Sequence, residues 1–197
     1  MYNRGMEKIY FATGNLEKIQ IAKTICQSTD IIIEPVSLDV DEIQGENPEI
    51  IVADKASRAF MLFGKPLVVS DDSWNIPALN GFPGPYMKSI NSWFTPKDFL
   101  RLMDGIENRT VILHQYLAYT DGKNTKIFNN NIPGVIINEV RGENKKSPNM
   151  SVIALDADKG KTIAEVFEQD EEAVVSRYES TRDVWHEFVD WYRLARN

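Results

Sequence analysis

The sequence is short of the residues that build disulfide frameworks and zinc sites. It holds one cysteine, Cys26, and two histidines in 197 residues. A single cysteine excludes an internal disulfide framework. Cys26 also falls in helical spacing with Ile19, Ala22 and Ile25, which predicts a small buried hydrophobe rather than a nucleophile. His114 and His186 share no metal-ligand spacing, which argues against zinc. His114 sits in an extended run and reads as a satisfied interior or sheet-face histidine rather than a catalyst. His186 reads as part of a solvated helix face with Arg182 and Asp190. A basic excess is missing too: 22 Lys and Arg face 29 Asp and Glu, for a net charge of −7. Nucleic-acid grooves depend on clustered cations, so no nucleic-acid partner is expected. No apolar run approaches the length of a membrane span, and Met1 to Tyr10 carries charges with no apolar stretch of signal-peptide length. The expectation is a cytoplasmic protein with no membrane partner. No repeat, low-complexity tract or Gly/Ser linker divides the chain, so residues 1–197 are expected to form a single two-lobed domain.

What is present alternates between strand and helix patterns. Lys8 to Thr13 is a short apolar strand that ends in Thr13-Gly14-Asn15, with helical spacing from Glu17 to Gln27. That is the opening of an α/β unit. Ile31 to Val36 reads as a second, buried strand. Pro48 starts a helix whose apolar stripe is Val52, Ala53, Ala56, Phe60 and Phe63, and Gly64 stops it. Leu67 to Ser70 is a third strand and Pro96 to Met103 a short helix. Thr110 to Thr120 and Lys126 to Ile137 form β-segments joined through the hairpin signal Asp121-Gly122. Ser151 to Leu155 is a further strand. Thr181 to Ala195 is an amphipathic helix with Val184, Trp185, Phe188, Val189 and Tyr192 on its apolar face. The class is mixed α/β.

Three clusters carry candidate chemistry. Thr13-Gly14-Asn15-Leu16-Glu17-Lys18 follows a strand and opens a helix, where unpaired backbone N–H groups and partial positive charge favour phosphate. Gly14 lets backbone approach closely, and Lys18 can reach back. Read alone, the same segment is an ordinary turn with an Asn cap, and its glycine spacing is not that of a P-loop. Asp71-Asp72-Ser73 follows the third strand, at the edge where α/β sheets bind ligands. Adjacent carboxylates alternate in direction, so one can hold Mg²⁺ while the other orients or deprotonates a water. Glu42, in Glu42-Ile43-Gln44-Gly45, offers another hard oxygen, and Lys55 sits midway along the following helix. An acidic protein that handles phosphates needs a metal to bridge the like charges, and these groups are the parts of metal-assisted phosphoryl chemistry. Asp156-Ala157-Asp158-Lys159-Gly160 reads as a polar turn, because Phe167 stands where a calcium loop needs its closing Glu.

Together these motifs resemble the inosine triphosphate pyrophosphatase family of non-canonical purine nucleotide pyrophosphatases. The run Leu79-Asn80-Gly81-Phe82-Pro83-Gly84-Pro85-Tyr86-Met87-Lys88 is similar to a family loop. Gly134 and Thr162-Ile163-Ala164-Glu165 also fall where family counterparts stand. The resemblance implies a long twisted mixed sheet with helices on both sides, two lobes around a central nucleotide cleft, a homodimer, and Mg²⁺-dependent cleavage of a nucleoside triphosphate to monophosphate and pyrophosphate. By the same resemblance, Thr13, Gly14, Asn15 and Lys18 cradle the phosphates and Lys55 contacts them. Glu42 with Asp71 or Asp72 holds the metal, Asp72 accepts the proton of the attacking water, and Ser73 touches substrate. The alternative is a catalytically weak nucleotide-binding or sensing protein of the same fold. Keeping Lys18, Glu42, Lys55, Asp71 and Asp72 together favours the enzyme.

The departures gather on the base side. The family's base-reading loop falls on Pro148-Asn149-Met150-Ser151, and its Lys-Asn pair on Glu171-Glu172. Its Ser-His-Arg falls on Val175-Ser176-Arg177 or, in a second placement, on Ser180-Thr181-Arg182. Ser151 and Arg177 are thus the base-side candidates. Trp74 replaces a usually small residue and is the candidate for base stacking. Unmatched buried groups penalise wrong bases strongly, so the rewritten loop implies altered base selectivity, away from inosine and xanthosine triphosphates.

Overall fold

The computed structural model describes residues 6–169 and 183–195. Its strands are β1 (Glu7–Ala12), β2 (Ile31–Val36), β3 (Leu67–Asn75), β4 (Pro83–Gly84), β5 (Thr110–Thr120), β6 (Thr125–Ile136) and β7 (Ile153–Leu155). The helices are α1 (Leu16–Cys26), α2 (Pro48–Phe63), α3 (Met87–Trp93), α4 (Pro96–Leu102), α5 (Ile163–Phe167) and α6 (Val184–Leu194). The strands join in one mixed sheet in the order β2-β1-β3-β5-β6-β7, with β4 paired to β3. The class is the expected α/β. By contacts the chain divides into two compact units: the described residues of Met1–Asp71, Gln115–Asn130 and Tyr178–Asn197, and those of Asp72–His114 and Asn131–Arg177.

In the first unit, β1 lies parallel to β2 and to β3, with Tyr10 opposite Leu67 and Phe11 opposite Val68. Parallel neighbours need crossover helices, and α1 and α2 supply them. Each starts on an Asn cap whose side chain accepts from two backbone N–H groups, Asn15 for α1 and Asn47 for α2. Gly64 ends α2 in the left-handed region at φ 72°, as expected of a glycine C-cap. One side of the sheet packs Leu67 and Val69 against Val52, Ala56 and Ala59 of α2. The other packs Phe11, Val68, Leu117 and Phe128 against Val184, Trp185, Phe188 and Val189 of α6. The Phe11 and Trp185 rings meet edge to face at 5.0 Å. Burying each such ring contributes about 2–3 kcal/mol.

The second unit has its own core, where Ile76, Phe99, Met103, Ile136 and Ile153 are wholly enclosed. Arg109 spreads its guanidinium over three backbone carbonyls, those of Met103, Ile136 and Ile137. Here β6 pairs antiparallel with β7, setting Gly134 opposite Leu155.

Several local expectations change. Strand β3 does not stop at Ser70 but runs on to Asn75. The stretch expected to begin a strand at Ser151 is a 3-10 turn over Pro148–Val152, and extension starts only at Ile153. Helices α3 and α5 were not expected; both are too short to show a periodic stripe. His186 is not simply part of a solvated face: its Nδ1 accepts from the Asp183 N–H at 3.0 Å and closes the start of α6. The expected start of that helix at Thr181 lies outside the described residues. His114 is the sheet-face histidine expected, with Nδ1 2.6 Å from Asn131 Oδ1.

Cys26 is buried, as expected, and desolvation pushes its thiol from the ordinary 9.0 up to about 12. A raised folded value means the unfolded chain loses its proton first. Stability from this group is therefore complete below about pH 9 and drains away between about 9 and 12. Alkylation at pH 8 under native conditions is expected to leave Cys26 unmodified over hours and to go to completion in denaturant; mass spectrometry of the adduct checks this. Gly134 has no room for a side chain, because a Cβ there would lie 2.5 Å from the Ala154 carbonyl oxygen. Gly134→Ala should cost about 1–3 kcal/mol, read as a lower midpoint in urea unfolding.

Candidate functional site

The site begins where β1 ends. Beyond the Phe11–Val68 pair of the β1–β3 register, one step further brings Ala12 level with Val69 and a second brings Thr13 level with Ser70. At that level β1 turns away into Thr13-Gly14-Asn15, its last tie to β2 being the Thr13 N–H donated to Val36 O at 3.2 Å, while β3 continues. The Asp71-Asp72 pair is therefore inside β3 yet beyond the carboxyl end of its neighbour. Alternation along an extended strand places Asp71 on the face of Leu67 and Val69, the α2 side, and Asp72 on the face of Val68.

The Thr13–Lys18 turn is organised by its own side chains. Thr13 Oγ1 accepts from the Asn15 N–H at 3.1 Å. Asn15 Oδ1 accepts from the N–H groups of Glu17 at 2.9 Å and Lys18 at 3.2 Å. Three of the donors at this end of α1 thus already have oxygen partners, as in an ordinary Asn-capped turn. A phosphate would have to take the place of the Asn15 amide oxygen. Gly14 is exposed, and a Cβ built on it meets nothing within 4 Å. Packing within the chain does not demand a glycine there, whereas close approach of a ligand to the backbone would.

Lys55 is a largely enclosed cation. Its side chain is only 17% exposed, and Nζ lies 2.5 Å from Glu42 Oε1 and donates to Ser70 O at 3.2 Å. Helix α2 delivers it: Ala56 and Val52 bury against the sheet while Lys55, one position before Ala56, spans the edge of that contact. The 37–47 loop brings Glu42 to it. The structure thus joins Glu42, Lys55 and Ser70, and it joins Thr13, Asn15 and the Lys18 backbone. Sequence reasoning missed Ser70, which acts through its carbonyl and so leaves no side-chain signal. It also missed the Glu42–Lys55 pair, because no periodic spacing links a loop acid to a mid-helix lysine.

A grip of three carboxylates on one ion is not preassembled: among the described residues no three His, Cys, Asp or Glu side chains come together as a metal-holding group. The donor chemistry still fits magnesium, which usually takes one or two carboxylates and completes its shell with waters and substrate phosphates. Glu42, 41% exposed at its side chain, and half-buried Asp71 are hard oxygen donors of that kind.

In the second unit the described base-side candidates are enclosed. Trp74 is 6% exposed and belongs to the core with Ile76 and Phe99. This corrects the stacking expectation: its ring is spent on packing. Ser73 is buried as well. Ser151 is buried and its hydroxyl donates to Pro148 O at 2.7 Å. Beside it, Asn149 donates through its backbone N–H and its amide to Asn91 Oδ1, at 3.2 and 3.0 Å, tying this turn to α3. Glu171-Glu172, Arg177 and the rival Ser180-Thr181-Arg182 lie outside the described residues.

The Ham1 family model matches residues 9–186, from β1 into α6. The chain belongs to the Ham1 family. Similar Ham1 relatives include a dITP/XTP pyrophosphatase of Saccharolobus solfataricus, 34% identical over 142 residues, covering 72% of this chain and 73% of the relative. Another of that name from Methanopyrus kandleri is 37% identical, covering 69% and 73%. An inosine triphosphate pyrophosphatase of Yarrowia lipolytica is 29% identical, covering 87% and 90%. The fold matches a HAM1 protein from Coxiella burnetii at TM-score 0.73 and 19% identity, over 95% of this chain and 99% of that one. The family resemblance of the motifs and the expected fold class thus hold.

The open space at Gly14 yields a test within this Ham1 chain. Gly14→Ala is expected to leave thermal stability within about 0.5 kcal/mol while raising KM for a nucleoside triphosphate about tenfold. A variant that melts early with KM unchanged would assign Gly14 to folding instead.

Proposed function

We propose that this Ham1 protein is a magnesium-dependent pyrophosphohydrolase that converts nucleoside triphosphates to monophosphates and pyrophosphate, clearing non-canonical purine nucleotides from the pool with altered base selectivity. The observation that carries the reading is the enclosed Lys55 ammonium, set between Glu42 and the Ser70 carbonyl immediately before the Asp71-Asp72 pair. Family membership supports it, and so do the names of the relatives, dITP/XTP pyrophosphatase and inosine triphosphate pyrophosphatase.

In this reading the Thr13–Lys18 turn receives the phosphates, with Gly14 allowing backbone approach and Lys18 reaching back. Lys18 and Lys55 offset charge on the departing pyrophosphate. Asp72 takes a proton from water as the water oxygen bonds to the α-phosphorus and the bond from that phosphorus to the bridging oxygen breaks. Glu42 and Asp71 would hold Mg²⁺, which would supply charge neutralisation along the triphosphate. The two units act as one pyrophosphatase domain, and the chain works as a cytoplasmic homodimer with neither nucleic acid nor membrane as partner. Base selectivity follows from the changed turn over Pro148–Val152 and from Arg177 or Arg182.

Pyrophosphate release measured over a panel of inosine, xanthosine, adenosine, guanosine and pyrimidine triphosphates, with and without Mg²⁺, tests the activity and the selectivity together. The expected result is metal-dependent release without strong preference for inosine and xanthosine triphosphates over the rest. Strong preference for those two would overturn the altered selectivity. Binding without turnover on every triphosphate would overturn the enzyme reading and leave a nucleotide-binding protein. Asp72→Asn is expected to lower kcat by about a thousandfold or more, at the upper end of general-base effects, with nucleotide affinity nearly kept. Unchanged kcat would remove Asp72 from its role.

A further inference from the structure

The Glu42–Lys55 ion pair joins two groups that the proposed function assigns to two different ligands. While they serve each other, the Glu42 carboxylate offsets the positive charge that a phosphate would meet at Lys55. Lys55 Nζ at 2.5 Å from Glu42 Oε1 is within charge-assisted contact, and its bond to Ser70 O at 3.2 Å holds the ammonium on the β3 side. With the lysine side chain 17% exposed and the glutamate 41% exposed, the cation is the fixed partner and the loop acid the more open one. Two features underlie that asymmetry. The lysine is anchored on a 16-residue helix and by a strand carbonyl. The acid hangs on the 37–47 connection, which has no regular structure. An anion arriving at Lys55 therefore competes with Glu42, and it wins most readily when Glu42 is taken up by another cation.

We infer that Glu42 is a built-in competitor for the polyphosphate at Lys55, so that metal-free anions are held off and a divalent cation and a polyphosphate are admitted together. The pair acts as an exchange element: carboxylate leaves ammonium for the metal, and a phosphate oxygen takes the vacated side of the ammonium. No covalent step is involved. The inference rests on the proposed function for the identity of the two ligands, but it makes a claim of its own, that Glu42 opposes anion binding when no metal is present. A residue serving only as a metal ligand would have no such effect.

The experiment measures inorganic pyrophosphate binding calorimetrically to the full chain in excess chelator. Wild type is compared with Glu42→Gln, with Glu46→Gln, which removes an equal charge from the same loop, and with the double variant Glu42→Gln/Lys55→Met. Glu42→Gln is expected to tighten metal-free pyrophosphate by about threefold to tenfold, in keeping with a half-exposed ion pair. Glu46→Gln should change it less than twofold, and Lys55→Met should cancel the gain. A thermal melt of each variant accompanies the titration, and a melting point within a few degrees of wild type qualifies it. Should Glu42→Gln unfold, Glu42→Asp, which keeps the charge but shortens the reach, is expected to tighten binding in the same direction by a smaller factor. Equal or weaker metal-free binding by the folded Glu42 variants would overturn the inference, as would an equal gain in Glu46→Gln. That failure is distinct from failure of the proposed function, which is read by metal-dependent pyrophosphate release in wild type.

Discussion

Strand β1 turns away after Ala12 while its parallel neighbour β3 runs on to Asn75, and the candidate site grows out of that inequality. A strand that loses its neighbour keeps its backbone direction but exposes polar positions that the ladder would otherwise crowd. The half-buried Asp71-Asp72 pair occupies those positions, just past the buried Ser70. The turn that removes β1 has to be stable without a ladder partner. Thr13 and Asn15 make it so by accepting three backbone N–H groups at the start of α1.

Rigidity and openness are divided between elements. Lys55 is fixed because α2 packs Val52, Ala56 and Ala59 into the sheet and because its ammonium donates a hydrogen bond to Ser70 O. Gly14 and Glu42 are exposed, one on a turn and one on a loop. An ammonium held by a helix and a strand keeps its position while its counter-ion changes, which is what charge exchange at a phosphate site requires. The same division explains why the acids are not gathered into a ready cage: like charges brought together without a cation would repel, and the ammonium takes up the nearest one.

The second unit shows the opposite economy. Trp74 stands just after the acidic pair but is consumed by the core, and Ser151 and Asn149 spend their hydrogen bonds on Pro148 and Asn91. The turn over Pro148–Val152 is therefore held by packing and by α3.

The sequence alone determined the alternation of strand and helix, because periods of 2 and 3.6 and the Asn, Pro and Gly boundary residues are local properties. It also determined the burial of Cys26, the hairpin at Asp121-Gly122 and, through several motifs in register, the family. Tertiary structure decided the length of β3, since extension past Ser70 depends on which neighbour remains beside it. It decided that Trp74 is core, because an aromatic after two acids is read locally as exposed until the surrounding Ile76 and Phe99 are known. And it decided that Lys55 belongs to Glu42 and to a backbone carbonyl. Side-chain reach across a loop, a helix and a strand depends on three-dimensional distance, which no spacing along the chain encodes.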